Sequence, residues 1–161
     1  MQLGQFLECE QGEPSCSEPV SFYLLVKTPT GRKRVRVRAS LQPVSEAERR
    51  AAKKSAVSFL RTLPEFAEKD GFLPPIPPED IEFETNLQFL TKALVDAEDP
   101  MVSFVGAGQY ARFRDGVVKQ QVEWLYRVYL SFIEREYPEI LSDSSKLEDE
   151  AEKKSGPGQP L

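Results

Sequence analysis

The sequence predicts an α+β fold, predominantly helical, in which an N-terminal β-hairpin precedes three to four packed helices and a disordered acidic C-terminal tail. Two observations carry this. Residues 20–39 hold two β-rich runs about the turn Pro29-Thr30-Gly31, the second of them strictly alternating. From Ser45 onward apolar residues recur at helical spacing, with caps and prolines at the borders. A chain of 161 residues suits one domain of ordinary size. The expected division is a loose leader over 1–19, a single globular domain over 20–141 and a tail over 142–161.

The leader has no sustained period beyond one short strand expected around Leu3 to Cys9, and it ends in Glu13-Pro14-Ser15 and Glu18-Pro19. The first strand is the run Val20 to Thr28. In the second, Lys33 to Ala39, the alternation puts Val35, Val37 and Ala39 on one face and Arg34, Arg36 and Arg38 on the other. One face is expected to be buried and the other wet. After Pro43, Ser45-Glu46-Ala47-Glu48 reads as a capping box, opening a helix whose apolar positions are Ala52, Ala56, Phe59, Leu60 and Leu63 and which Pro64 ends. The proline-rich stretch from Pro64 to Pro78 is read as a connector pinned to the core by Phe66, Phe72, Leu73 and Ile76.

Phe83, Leu87, Leu90 and Leu94 then form one stripe of a second helix running to about Ala97, broken at Asp99-Pro100. Met101 to Val105 is expected to be a short extended piece, and Gly106 to Arg114 a short helix stopped at Asp115-Gly116. The final helix carries Val118, Val122, Leu125, Tyr129, Phe132 and Ile133 on its apolar face and stops at Pro138. Beyond about Ser142 the chain is too polar to offset the entropy of ordering, so disorder is expected there.

Composition narrows the function classes. There is no histidine, which removes the commonest general base and the commonest metal ligand. Cys9 and Cys16 have no metal-site or redox-pair spacing and read as reduced surface thiols. No apolar run spans a bilayer and the start lacks the pattern of a secretory signal, so a cytoplasmic protein without membrane contact is expected. A net charge of −5 does not draw the molecule as a whole to nucleic acid.

The string Gly106-Ala107-Gly108-Gln109-Tyr110-Ala111 matches a dinucleotide fingerprint in letters only, because a helix occupies the window where a parallel strand should follow. No cofactor, metal site or catalytic residue is assigned, and the chain is expected not to be an enzyme. The pairs Glu82/Glu84 and Glu134/Glu136 read as solvated faces. Arg32, Lys33, Arg34, Arg36 and Arg38 read first as a charged edge strand, next as a contact for an acidic protein, and last as a nucleic-acid contact without interleaved aromatics on that strand. Trp124, Tyr126, Tyr129, Phe132 and Tyr137 exceed what one helix face needs for a core, which suits an interface as well as a core.

From about Thr85 to Pro138 the chain resembles the tail assembly chaperones of long-tailed bacteriophages. The likeness lies in Leu87, Leu90 and Leu94 followed by Asp96-Ala97-Glu98-Asp99-Pro100, then Phe104, Tyr110 and Phe113, then Leu125, Tyr129 and Glu136-Tyr137-Pro138. The passage from Val35 through Arg49 is similar in style. This resemblance implies a non-enzymatic protein of the host cytoplasm that binds the tape measure protein, or another tail component, and keeps its long apolar helices from aggregating. It also implies a longer frameshifted form, for which the paired lysines Lys153-Lys154 are suitably placed.

On this reading the partner surface is Leu87, Leu90, Leu94, Phe104, Tyr110, Trp124, Tyr126, Tyr129, Phe132 and Tyr137, with homo-oligomerisation left open. The alternative is a nucleic-acid-associated protein using Arg34, Arg36 and Arg38.

Overall fold

A computed structural model describes residues 16–138 and, ahead of them, Leu3. The expected strand around Leu3 to Cys9, the role of Cys9, the tail from Ser142 and the Lys153-Lys154 site lie outside the described residues. The elements are β1 (Glu18–Thr28), β2 (Gly31–Leu41), α1 (Glu46–Leu60), α2 (Pro78–Ala93), β3 (Leu94–Asp96), α3 (Tyr110–Gly116) and α4 (Lys119–Glu136). The fold is α+β: a three-stranded antiparallel sheet ordered β1-β2-β3, followed and covered by helices.

β1 and β2 pair without a bulge from Glu18↔Leu41 to Thr28↔Gly31, so β1 takes in Glu18 and Pro19, which the sequence placed in the leader. Gly31 closes the loop with φ 127°, a backbone state that glycine alone adopts without strain. The Thr28 hydroxyl donates to Gly31 O at 2.6 Å. At the base of the hairpin one face packs inward through Val20, Phe22, Ala39 and Leu41. Towards the tip that face loses its cover: Val35 is 42% and Val26 43% exposed. The expected wholly buried face is thus buried only in its lower half, because the strands outrun the helices beneath them.

The capping box forms as expected. Glu48 N–H donates to Ser45 Oγ at 3.2 Å and Ser45 N–H to Glu48 Oε1 at 3.3 Å, satisfying two amides that a helix start leaves open. Ala52, Ala56 and Leu60 are buried on α1, and the small side chains let α1 lie close to α2. The connector after α1 is held differently from expectation. Phe72 and Leu73 are exposed, while the Arg61 guanidinium donates to Phe66 O at 3.1 Å and Pro74 O at 2.5 Å. A tight turn at Asp70-Gly71, both with positive φ, reverses it.

Two further corrections concern the middle of the chain. The stripe Leu87, Leu90, Leu94 predicted helix to about Ala97, yet α2 ends at Ala93 and the backbone of Leu94 is extended. Leu94 N–H still caps the helix on Leu90 O, after which β3 pairs with the base of β2 through Leu41↔Leu94, Ser40↔Val95 and Ala39↔Asp96. Non-local pairing here overrides a local helical pattern. Met101 to Val105 is a bend joined to β3 by the single bridge Val95↔Ser103, since the Asp96 carboxylate accepts Glu98 and Asp99 N–H and turns the chain instead of extending it.

α4 buries Val122, Leu125, Tyr129 and Phe132. With Leu87, Phe89, Leu90, Ala93 and Leu94 and the inner sheet face they make one continuous core. No helix among the described residues is long and apolar enough to cross a membrane.

Candidate binding surface

Half of the side chains assigned to partner contact from sequence lie inside this core, and all the others but Trp124 pack against it. Leu87, Leu90 and Leu94 are 0% exposed and Phe132 is 1% exposed. Tyr129 is buried as well; its hydroxyl accepts Val44 N–H at 3.0 Å and its ring meets Phe89 edge-on at 4.7 Å. Tyr126 and Tyr137 are half-buried, edge-on to Phe89 and Phe132 respectively. The aromatic surplus of α4 is therefore consumed by ring-to-ring packing within the molecule. Trp124 is the member of the set that stands exposed.

Tyr110 and Phe104 are half-buried for different reasons. The Tyr110 hydroxyl donates to Glu84 Oε1 at 2.5 Å, and Arg114 Nε reaches both Glu84 oxygens at 3.1 Å. Glu84 is fully buried, contrary to the solvated face read from sequence. The Arg114 guanidinium also lies 4.8 Å from the Phe59 ring centre, so the cluster ties α3 to α2 and α1. Burial, reinforced by the Glu84 carboxylate, pushes the Tyr110 phenol far above its ordinary value. The i, i+4 pair Tyr110/Arg114 on one helix face was visible in sequence; nothing local marked Glu84 as its counterpart.

Phe104 packs edge-on against Phe22 and Phe113 and its remaining surface lines a groove of about 620 Å³ under the outer part of β1. Leu24, Val26, Val105 and Phe113 give that groove apolar walls, and Lys27, Arg32 and Arg112 stand around it. Gly116 lies beneath: a Cβ there would stand 3.1 Å from Leu25 O, so the close approach of α3 to β1 depends on the missing side chain.

Above the groove the hairpin continues as an arm. From Tyr23 to Arg36 no residue is buried, and six pairs of strand residues carry it roughly 18 Å at ~3.3 Å per residue. Its outer face carries Lys27, Arg32, Arg34 and Arg36, with Arg38 at its root, all exposed. Tyr23 belongs to the same face, and Arg34 covers its ring at 4.4 Å from the centre. An aromatic among the cations, absent from β2 itself, is thus supplied by β1. Arg34, Arg36 and Arg38 are accordingly placed together and open to solvent.

The fingerprint-like loop is closed on itself. Gln109 Oε1 accepts Gly106 N–H at 3.2 Å and Gly106 O accepts Gln109 N–H at 3.1 Å, and the neighbouring strand β3 is antiparallel to β2. Among the described residues no group of three or more Cys, Asp or Glu side chains converges as a metal site. Compared with protein-family models, with curated proteins and with solved structures, the chain matches none.

Proposed function

We propose that this chain is a non-enzymatic adaptor or assembly chaperone that holds another polypeptide on its hairpin arm and in the groove beneath it. The observation that carries the reading is the arm itself, where Val26 and Val35 stand more than two-fifths exposed beside a groove walled by Leu24, Phe104, Val105 and Phe113. Exposed apolar residues joined to a concave apolar wall and rimmed by charge are the composition of a protein interface rather than of a solvated edge. The helical stripe Leu87, Leu90, Leu94 has no share in it, being core.

In the finer form of this proposal, taken from the resemblance to phage tail assembly chaperones, the partner is the tape measure protein, and the arm shields its apolar segments until assembly. The test is co-expression with a tape measure protein encoded in the same genome. A soluble complex that the double variant Val26→Glu/Val35→Glu loses supports the proposal. A genome without such a gene removes the finer form, and a tape measure protein that never co-elutes with the intact chain counts against it.

A second reading is favoured by one observation, the Tyr23 ring among Arg34, Arg36 and Arg38. Cations with an aromatic between them suit single-stranded nucleic acid. The net charge of −5 and the coverage of that ring by Arg34 leave it second.

A further inference from the structure

β3 pairs with β2 only from Ala39 to Leu41, whereas β1 pairs with β2 along its whole length. Among the described residues, therefore, no strand lies beside the β2 edge away from β1 from Arg38 to the tip. Two contacts fix which residues present their backbone there. Gln42 N–H donates to Ala93 O on the β3 side, and antiparallel alternation carries that direction to Ser40, Arg38, Arg36, Arg34 and Arg32. Independently, Tyr23 N–H turns away from β2 to Gln121 Oε1 at 3.2 Å, so its cross-strand partner Arg36 also turns its N–H and C=O outward.

The residues with outward backbone groups beyond the reach of β3 are thus all arginines: Arg38, Arg36, Arg34 and Arg32. Their side chains also share one sheet face, opposite the face of Val35 and Val37.

We propose that this edge takes an extended acidic segment of a partner polypeptide as an added strand, continuing the line of β3 along Arg32 to Arg38. The proposal rests on the reading of the arm as the partner-binding element and names the chemistry of what it binds. A guest strand with carboxylates at every second position places each beside a guanidinium on the same face, about 5 Å away across the ladder, within reach of paired N–H···O contacts. Its intervening residues, if apolar, cover Val35 and Val37. A second copy of the same edge would set arginine against arginine and is disfavoured. Nucleic acid uses the charge but has no use for the open backbone groups.

The test uses the full chain, isotopically labelled, with the acetylated and amidated peptide EVETEVE as probe. Expected are saturable binding, slowed exchange of the Arg34 and Arg36 amides, and at least tenfold weaker binding both for a probe N-methylated at alternate residues and for Arg34→Glu/Arg36→Glu. The amide protection is read on the unaltered chain, so a poorly folded variant does not decide the matter. Equal binding of the N-methylated probe means attachment by charge alone, which overturns strand addition and leaves the adaptor reading standing. An oligothymidylate that binds where the peptide does not overturns both. If neither binds, strand addition falls, while tape measure co-expression still judges the adaptor reading.

Discussion

Arg34 lies over the ring of Tyr23, although the residue directly across from Tyr23 is Arg36. The contact is diagonal, and it places a guanidinium over the outer face of an arm that has no buried residue. The lower part of the arm is thereby held by side chains on its wet face, where cation–π pairing contributes about 0.5–1 kcal/mol at an exposed site. Tyr23→Ala is expected to weaken the arm locally, seen as faster amide exchange at Val35 and Val37, whose N–H groups face β1 across from Leu24 and Phe22, with global stability changed by no more than about 1 kcal/mol.

Glu84 is expected to be the most costly charged residue to remove. Glu84→Ala leaves Arg114 and the Tyr110 hydroxyl without their shared acceptor, and breaking a buried pair costs about 3–5 kcal/mol. Tyr110→Phe loses one hydrogen bond and should cost about 1 kcal/mol. Urea unfolding of the two single variants and the double variant checks both, and because the groups share a carboxylate their effects should not add.

Alkaline pH should destabilise the fold through Tyr110 and Tyr129. Burial is the chief cause that raises both phenols in the folded chain, with Glu84 adding to it at Tyr110. An unfolded tyrosine titrates near pH 10, so the stabilisation from keeping these phenols neutral is complete below about pH 10 and is lost as pH rises above it. Unfolding free energies measured from pH 8 to 11 should fall above about pH 10, and Tyr110→Phe should flatten the fall. An unchanged slope in that variant would contradict the burial and pairing described for Tyr110.

Residues read from sequence as one partner surface should separate into two classes. Leu90→Ala and Phe132→Ala open cavities in the core and should cost about 2–5 kcal/mol. Trp124, exposed on α4, should tolerate Ala at about 1 kcal/mol or less. Thermal melts of the three variants decide this.

Much of the fold was legible because local signals and tertiary structure agree. The Ser45/Glu48 box starts α1 as read, the alternation of β2 gives its faces, and Val122, Leu125, Tyr129 and Phe132 of the α4 stripe are its buried side, while Val118 stands exposed ahead of the helix. The misses have physical causes. Leu94 satisfies a helical period yet enters β3, because Leu41 across the sheet is a partner no local window contains. Glu84 looks solvated beside Glu82 until α3 brings Tyr110 and Arg114 over it.

The candidate surface was less legible still. A helical stripe predicts burial without saying whether its own chain or another covers it, and here its own chain does. Nor does alternation along β2 reveal that its lower half is covered and its upper half is not.

Hydrogen–deuterium exchange of the intact chain, free and in complex with a co-expressed tape measure protein, bears most directly on where the partner sits. Protection confined to 23–36 and 104–116 is the expected result. Protection of 118–137 with an unchanged hairpin, or opening of the Leu87 and Leu90 core on binding, would contradict it.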